Sequence, residues 1–243
     1  MELAGKAAIV TGASSGIGAA TVRRLREEGV RVAGGARRVE RIDADVALAL
    51  DVTDPESCAV FVEQAVPALG GGLDILYNNA GLALGRYPFW ESNEEDEATV
   101  LHTNVDGAMR MTRLCLPHIR DGGHILFTGS VAGRQAYQNA ASYVAAKFGL
   151  RGFVYALRED LLGRPIRVTT VDAGLTETEF SLVRFKGDVE TARAVYQGVE
   201  PLTPEDIAEC VLFALTRPAH VNVDEIVVKA TAQSSDGRIV RNT

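Results

Sequence analysis

At 243 residues, with 47% hydrophobic and 23% charged side chains, the chain is long enough for one α/β domain with a large core and has the composition of a water-soluble protein. A net charge of -7 with no long basic run argues against nucleic acid as a partner, and no apolar run approaches the roughly 18 residues that would cross a membrane. Cys58, Cys115 and Cys210 form no disulfide framework, the histidines have no metal-ligand spacing, and Met1-Glu2-Leu3-Ala4-Gly5-Lys6 has no signal-peptide character, so no metal and a cytoplasmic location are expected.

A first strand is predicted over 6–11, built on the apolar run Ala7-Ala8-Ile9-Val10. Thr11-Gly12-Ala13-Ser14-Ser15-Gly16-Ile17-Gly18 follows. A helix is then predicted over 16–29, with Ile17 and Leu25 on one face and Gly29 as its stop. Strand, glycine turn and helix form the context of a dinucleotide site, because glycines let the backbone approach a pyrophosphate and the helix start offers free N–H groups. Gly12, Ser14, Ser15, Gly16, Ile17 and Gly18 are therefore candidate cofactor contacts. The spacing is G-x-x-x-G-x-G, not G-x-G-x-x-G, so a glycine turn without a ligand stays open at this point.

The second strand, over 30–35, leads to Ala36-Arg37-Arg38, about 20 residues beyond the glycine loop, where an NAD site places an acid on the ribose. Here the residues are basic. Guanidinium groups match a phosphate, and cations are disfavoured at a helix start, so Arg37 and Arg38 favour NADP over NAD; a solvated pair is the bland alternative. Only about ten residues separate this strand from the third, over 47–50, too few for a full crossover helix, so a helical stub or loop is expected. Asp51 either receives an adenine amino group or is a turn aspartate. Asp54 and Pro55 read as the N-cap and first position of a helix over 54–69.

A strand over 73–78 runs into Asn78-Asn79-Ala80-Gly81, where asparagines can cap backbone groups and Gly81 lets the chain pass close to a ligand. Helices near 91–103 and 105–120 come next, with Asn104 hinting at a kink or a buried water. A strand over 123–129 ends at Ser130. A long helix over 141–163, a strand over 166–172, helices near 179–197 and 204–216 and a last strand over 224–229 complete the chain. The alternation predicts a single domain over 1–243: a doubly wound parallel sheet of Rossmann type with helices on both faces and a substrate-loop region near 175–200. The long helix is apolar nearly all round, so together with the helix at 105–120 it is a candidate subunit interface.

Tyr143 and Lys147 lie one turn apart near the start of that long helix, on one face. A phenol is a poor acid or base at neutral pH, and a neighbouring ammonium favours its anion. Such a tyrosine can exchange a proton with an alcohol or carbonyl oxygen while hydride moves to or from a nicotinamide. Alone, the pair reads as a solvated helix face. Ser130, 13 residues earlier at the C-terminal edge of the sheet, changes that, since a hydroxyl there can hold a carbonyl. It is not in a G-x-S-x-G elbow, which removes the hydrolase reading.

Together, Thr11–Gly18, Asn78-Asn79-Ala80-Gly81, Asn104, Ser130 and Tyr143-x-x-x-Lys147 resemble the short-chain dehydrogenase/reductase family over essentially the whole chain. The resemblance implies Tyr143 as general acid/base, with Lys147 lowering its pKa and binding the nicotinamide ribose. It implies Ser130 orienting the carbonyl and Asn104 holding a relay water. It places Asp51 and Val52 at the adenine and lines the cofactor side with Asn79, Ala80 and Gly81, then Gly174, Thr176 and Thr178. Ala173-Gly174 departs from the family's Pro-Gly, with Gly174 expected to keep the close approach to the nicotinamide, and the segment 39–46 is shortened.

Thr178-Glu179-Phe180-Ser181, the stretches from Val183 to Asp188 and from Leu202 to Glu209, and Pro218-Ala219-His220-Val221-Asn222 resemble the NADP-dependent 3-hydroxy acid dehydrogenase branch, which includes bacterial serine dehydrogenases. A small 3-hydroxy acid or β-hydroxy amino acid substrate, and a tetramer or dimer, are what this implies. A carboxylate substrate needs a cation near the nicotinamide, for which Arg86, Arg134, Arg184 and Lys186 are candidates. A reductase of a larger ketone or 3-oxoacyl thioester, favoured by an apolar pocket without an arginine, and a non-catalytic NADP-binding sensor are the competing expectations.

Overall fold

A computed structural model describes residues 2–235 and 237–242. Its centre is β1 (Ala7–Thr11), whose five residues are all buried, as befits a strand covered on both faces. The chain winds outward from β1 in two directions. On one side lie β2 (Arg31–Ala36) and β3 (Val46–Ala49); on the other lie β4 (Leu73–Asn78), β5 (Ile119–Ser130), β6 (Arg167–Ala173) and β7 (Glu225–Val228). The sheet order is β3-β2-β1-β4-β5-β6-β7, and every paired neighbour is parallel. The order reverses between β1 and β4, and crevices at such a switch point are where open α/β sheets bind ligands.

Alternation along β1 divides the core. Ala7 and Ile9 enter the apolar layer under α2 (Pro55–Ala68), α4 (Gly107–Cys115) and α5 (Ala141–Asp160). Ala8 and Val10 enter the layer under α1 (Gly16–Glu27) and α8 (Pro204–Leu215). Phe61, Phe127, Leu25 and Ile207 are almost fully buried in these layers, each stabilising the fold by about 1.5–3 kcal/mol.

Helix ends follow local chemistry. Asp54 caps α2 by accepting from the Glu56 N–H at 3.0 Å, with Pro55 in the first turn as expected. Thr203 and Asp206 form a capping box on α8. The β2–β3 connection holds only a helical turn over Val39–Arg41, the stub its length predicts.

Three expectations are corrected. The helix expected near 179–197 is two short ones, α6 (Phe180–Arg184) and α7 (Val189–Ala194), because Lys186 and Gly187 take left-handed φ values of 51° and 92° and Asp188 caps a fresh start. The strand expected to start at 123 begins at Ile119, with an irregularity in its pairing to β4 that absorbs Gly122-Gly123. The helices expected near 91–103 and 105–120 are α3 (Glu94–Leu101) and α4, joined by a π-helical turn over His102–Asp106. A small hairpin, β8 (Gln233–Ser235) with β9 (Arg238–Ile239), was not anticipated.

Candidate active site

The C-terminal ends of the strands open into one cavity of about 600 Å³. Gly12 and Gly16 have φ of 67° and 52°, the left-handed turn that brings the chain from β1 into α1. Ser14, Ser15 and Ile17 line the cavity with them. The Ser15 side chain does not cap α1, which leaves first-turn N–H groups for an anion. Gly18, a candidate cofactor contact, does not line the cavity. A Cβ there would stand 2.3 Å from the Gly12 carbonyl oxygen, so Gly18 lets α1 pack onto the turn.

Arg37, Arg38, Asp51 and Val52 line the end of the cavity beneath β2 and β3. Arg38 donates to Glu179 at 2.7 Å and to the Ser15 hydroxyl at 3.1 Å, and Arg41 reaches the other Glu179 oxygen at 3.0 Å. Arg37 is exposed, and among the described residues no carboxylate lies within 4 Å of it. Burial opposes the charge of Asp51, but hydrogen bonds from the Thr53 hydroxyl and N–H, aided by Arg37, prevail and hold its carboxyl below the usual range.

At the switch point, the Thr11 hydroxyl accepts the N–H groups of Asn79 and Ala80, both at 3.0 Å, and Asn79 Nδ2 donates to the Thr11 carbonyl at 3.0 Å. This strap fixes the end of β4 to β1. Asn79, Ala80 and Gly81 thereby line the middle of the cavity.

Ser130 ends β5, and Tyr143 and Lys147 stand on the first turns of α5; all three line the far end. The Ser130 oxygen accepts the Ala132 N–H at 3.1 Å, leaving its O–H to donate elsewhere. Lys147 Nζ donates to the Thr128 carbonyl at 2.9 Å and lies 5.8 Å from the centre of the Tyr143 ring. The Phe180 ring meets Tyr143 edge-on at 5.5 Å, and Arg184 lies 5.1 Å from the Tyr143 ring centre.

Asn104 sits in the π-helical turn, 1% exposed, just behind this wall. Its Nδ2 donates to the carbonyls of Leu82 and Val100 at 2.7 and 2.8 Å, while its buried Oδ1 has no partner among the described residues. The position a Cβ would occupy at Gly81 is 2.7 Å from that oxygen and 3.6 Å from Lys147 Nζ. The absent side chain leaves a space between an orphan acceptor and an ammonium.

A profile described as short chain dehydrogenase matches residues 6–187. The chain is 41% identical over 255 residues to an NADP-dependent 3-hydroxy acid dehydrogenase of Schizosaccharomyces pombe, covering 99% of this chain and 98% of that one. This chain belongs to the short-chain dehydrogenase family. It is 38% identical over 241 residues to a serine 3-dehydrogenase of Agrobacterium fabrum, covering 94% of this chain and 95% of the relative. A solved structure described as the closed form of serine dehydrogenase complexed with NADP+ superposes with a TM-score of 0.91 at 39% identity, covering 98% of this chain and 100% of the other.

Within this dehydrogenase, burial pushes the Lys147 ammonium down to about 8, against the opposing pull of Asp172. Burial likewise pushes the Asp172 carboxyl up, opposed by Arg134, whose Nε donates to it at 2.6 Å. Thr176 and Thr178 line the cavity. Gly174 does too, but a Cβ there would meet Gln233 Oε1 at 2.3 Å and the Val228 carbonyl at 3.0 Å. The end of β7 and Gln233 thus leave no room for a side chain at Gly174. Glu179 was missed as a site residue. Its arginine partners lie 138 and 141 positions earlier, and no local pattern joins them.

Proposed function

We propose that this dehydrogenase transfers hydride between NADP(H) and the carbinol carbon of a small 3-hydroxy acid or β-hydroxy amino acid. The observation that carries the reading is the Tyr143 ring, flanked by the cations of Lys147 and Arg184 in the same cavity as Ser130. Two positive groups at the ring favour its phenolate. The names of the relatives support the substrate class, and the arginine in the cavity disfavours the larger-ketone reading.

The cavity fits a dinucleotide. The turn at Gly12–Ile17 and the bare start of α1 would take the pyrophosphate, Asp51 and Val52 the adenine, and Thr176 and Thr178 the nicotinamide side. Arg37 would take a 2′-phosphate, since among the described residues no carboxylate lies within 4 Å of it, whereas Arg38 is tied to Glu179. When bound, the nicotinamide supplies the hydride acceptor or donor. Tyr143 Oη takes the hydroxyl proton in oxidation and returns one to the carbonyl oxygen in reduction. The Ser130 O–H donates to the same substrate oxygen and holds it at Tyr143. Lys147 holds the ribose and favours the phenolate. Asn104 Oδ1 would accept a hydrogen bond from a water beside Lys147 Nζ, and that water would relay protons toward Tyr143.

The same reading makes the enzyme a cytoplasmic homo-oligomer, a tetramer or dimer. Among the described residues no helix is long and apolar enough to cross a membrane, and the three cysteines are free, which fits a reducing compartment. Phe148 and Tyr155 leave an apolar face of α5 more than 40% exposed. The direct test is NADP+ reduction with L-serine, L-allo-threonine, 3-hydroxybutyrate and 3-hydroxyisobutyrate. Turnover of at least one is expected. Silence across the panel, with a larger ketone reduced by NADPH, would overturn the substrate class.

A further inference from the structure

Four cations lie in segments near the substrate end of the cleft, and their surroundings separate them. Arg134 is held by two carboxylates: its Nε donates to Asp172 at 2.6 Å and its Nη2 lies 2.5 Å from Glu225. Lys186 is exposed and paired with Asp96 at 2.7 Å. Arg86 rests over the Tyr137 ring, 5.7 Å from its centre, and is not part of the cavity wall.

Arg184, the last residue of α6, is in that wall. Its guanidinium lies over two rings, 5.1 Å from the centre of Tyr143 and 5.0 Å from that of Phe180. Its Nη2 donates to the Tyr137 hydroxyl at 3.0 Å, and its backbone carbonyl accepts the Gly85 N–H at 2.9 Å. Both walls of the cleft therefore fix its position. Yet its Nε is buried with no acceptor, and no carboxylate lies within 4 Å of it, among the described residues. The rings stabilise the cation but accept none of its in-plane N–H groups. A half-buried guanidinium with free donors calls for an anion, and its planar fork matches a carboxylate in geometry. An anion held there sits beside the phenol that exchanges the substrate's proton.

We infer that Arg184 binds the substrate carboxylate and sets the preference for hydroxy acids over neutral alcohols. This rests on the hydroxy-acid reading above. The fork anchors one end of the substrate, and Ser130 and Tyr143 receive its hydroxyl at the other.

The test compares kcat/KM for 3-hydroxybutyrate and for its methyl ester with NADP+, in the wild type and in Arg184→Gln and Arg184→Lys. Both substrates use the same Tyr143, so the acid-to-ester ratio cancels any effect of Arg184 on the phenol. The ratio should fall by roughly 10–100-fold in Arg184→Gln, chiefly through KM, the size of losing one hydrogen bond to a charged group. Arg184→Lys, which keeps the charge without the fork, should fall between. Thermal unfolding followed by circular dichroism verifies that each variant is folded. A ratio in Arg184→Gln within about twofold of wild type, with wild-type turnover of the acid intact, would overturn the assignment of Arg184 alone. Failure of the wild type to oxidise the acid while it oxidises the ester would instead overturn the hydroxy-acid reading, and this inference with it.

Discussion

Lys147 shows what the site costs a single residue. Its ammonium is buried and titrates near 8, well below the ordinary lysine range, because desolvation outweighs the pull of Asp172. The unfolded chain therefore holds this proton more tightly than the folded one. Between about pH 8 and the ordinary lysine range the unfolded state binds more protons, so stability rises with pH there; below about 8 the full penalty is present. Lys147→Met removes the penalty. At pH 7 its Tm should rise by roughly 2 °C or more, and the gain should shrink toward pH 10. A lower Tm at pH 7, or a gain that does not change with pH, would contradict this origin. Asn104 is the companion case. As a mediocre helix former its place in a helical stretch was legible as an irregularity, but the orphan oxygen facing Gly81 was not. That oxygen's surroundings come from a loop some 20 residues away.

Among the elements, those with local signals were legible and those set by distant contacts were not. The run Ala7–Val10, the glycine turn and the Asp54-Pro55 cap marked β1, α1 and α2 close to their observed bounds. The break between α6 and α7 also had a signal in Gly187-Asp188, outweighed by the apolar spacing around it. The tie of Glu179 to Arg38 and Arg41 had none, because it joins the start of α6 to the short β2–β3 connection across the cavity. It also separates the surroundings of the two arginines. Arg38 holds the segment at Glu179, while among the described residues no carboxylate lies within 4 Å of Arg37, the proposed partner of the phosphate. Arg37→Ala should weaken NADP binding by about 10–100-fold, a charged hydrogen bond's worth, and leave NAD within about threefold. Titration of both cofactors by fluorescence checks this, and equal losses for both would refute a phosphate role.

For the whole molecule, the parallel sheet places the glycine turn, Asn79–Gly81, Ser130 and the Tyr143–Lys147 pair along one edge. Residues from the ends of β1, β4, β5 and β6 meet there although the sequence spreads them from Gly12 to Thr178. The alternation of strands and helices made that architecture readable. The charge network beneath the site was not, since Arg134, Asp172, Glu225 and Arg151 come from four separate segments. The outer face of α5 carries the remaining expectation at this scale. A helix with Phe148 and Tyr155 so exposed gains by being covered, and α5 continues into the surface near Val105 on the π-helical turn. Light scattering during size exclusion at micromolar concentration should return the mass of a dimer or tetramer of 26.0 kDa chains. A single-chain mass would contradict the proposed assembly.

The central claim is that Tyr143 moves the proton while hydride moves to or from the cofactor. The most direct measurement is kcat for Tyr143→Phe with the best hydroxy acid, alongside its affinity for NADP+. The account predicts a loss of at least about 100-fold in kcat, the scale of a missing general acid/base, with cofactor affinity within a few-fold of wild type. Turnover equal to wild type would contradict it and return the site to a cofactor pocket whose chemistry lies elsewhere.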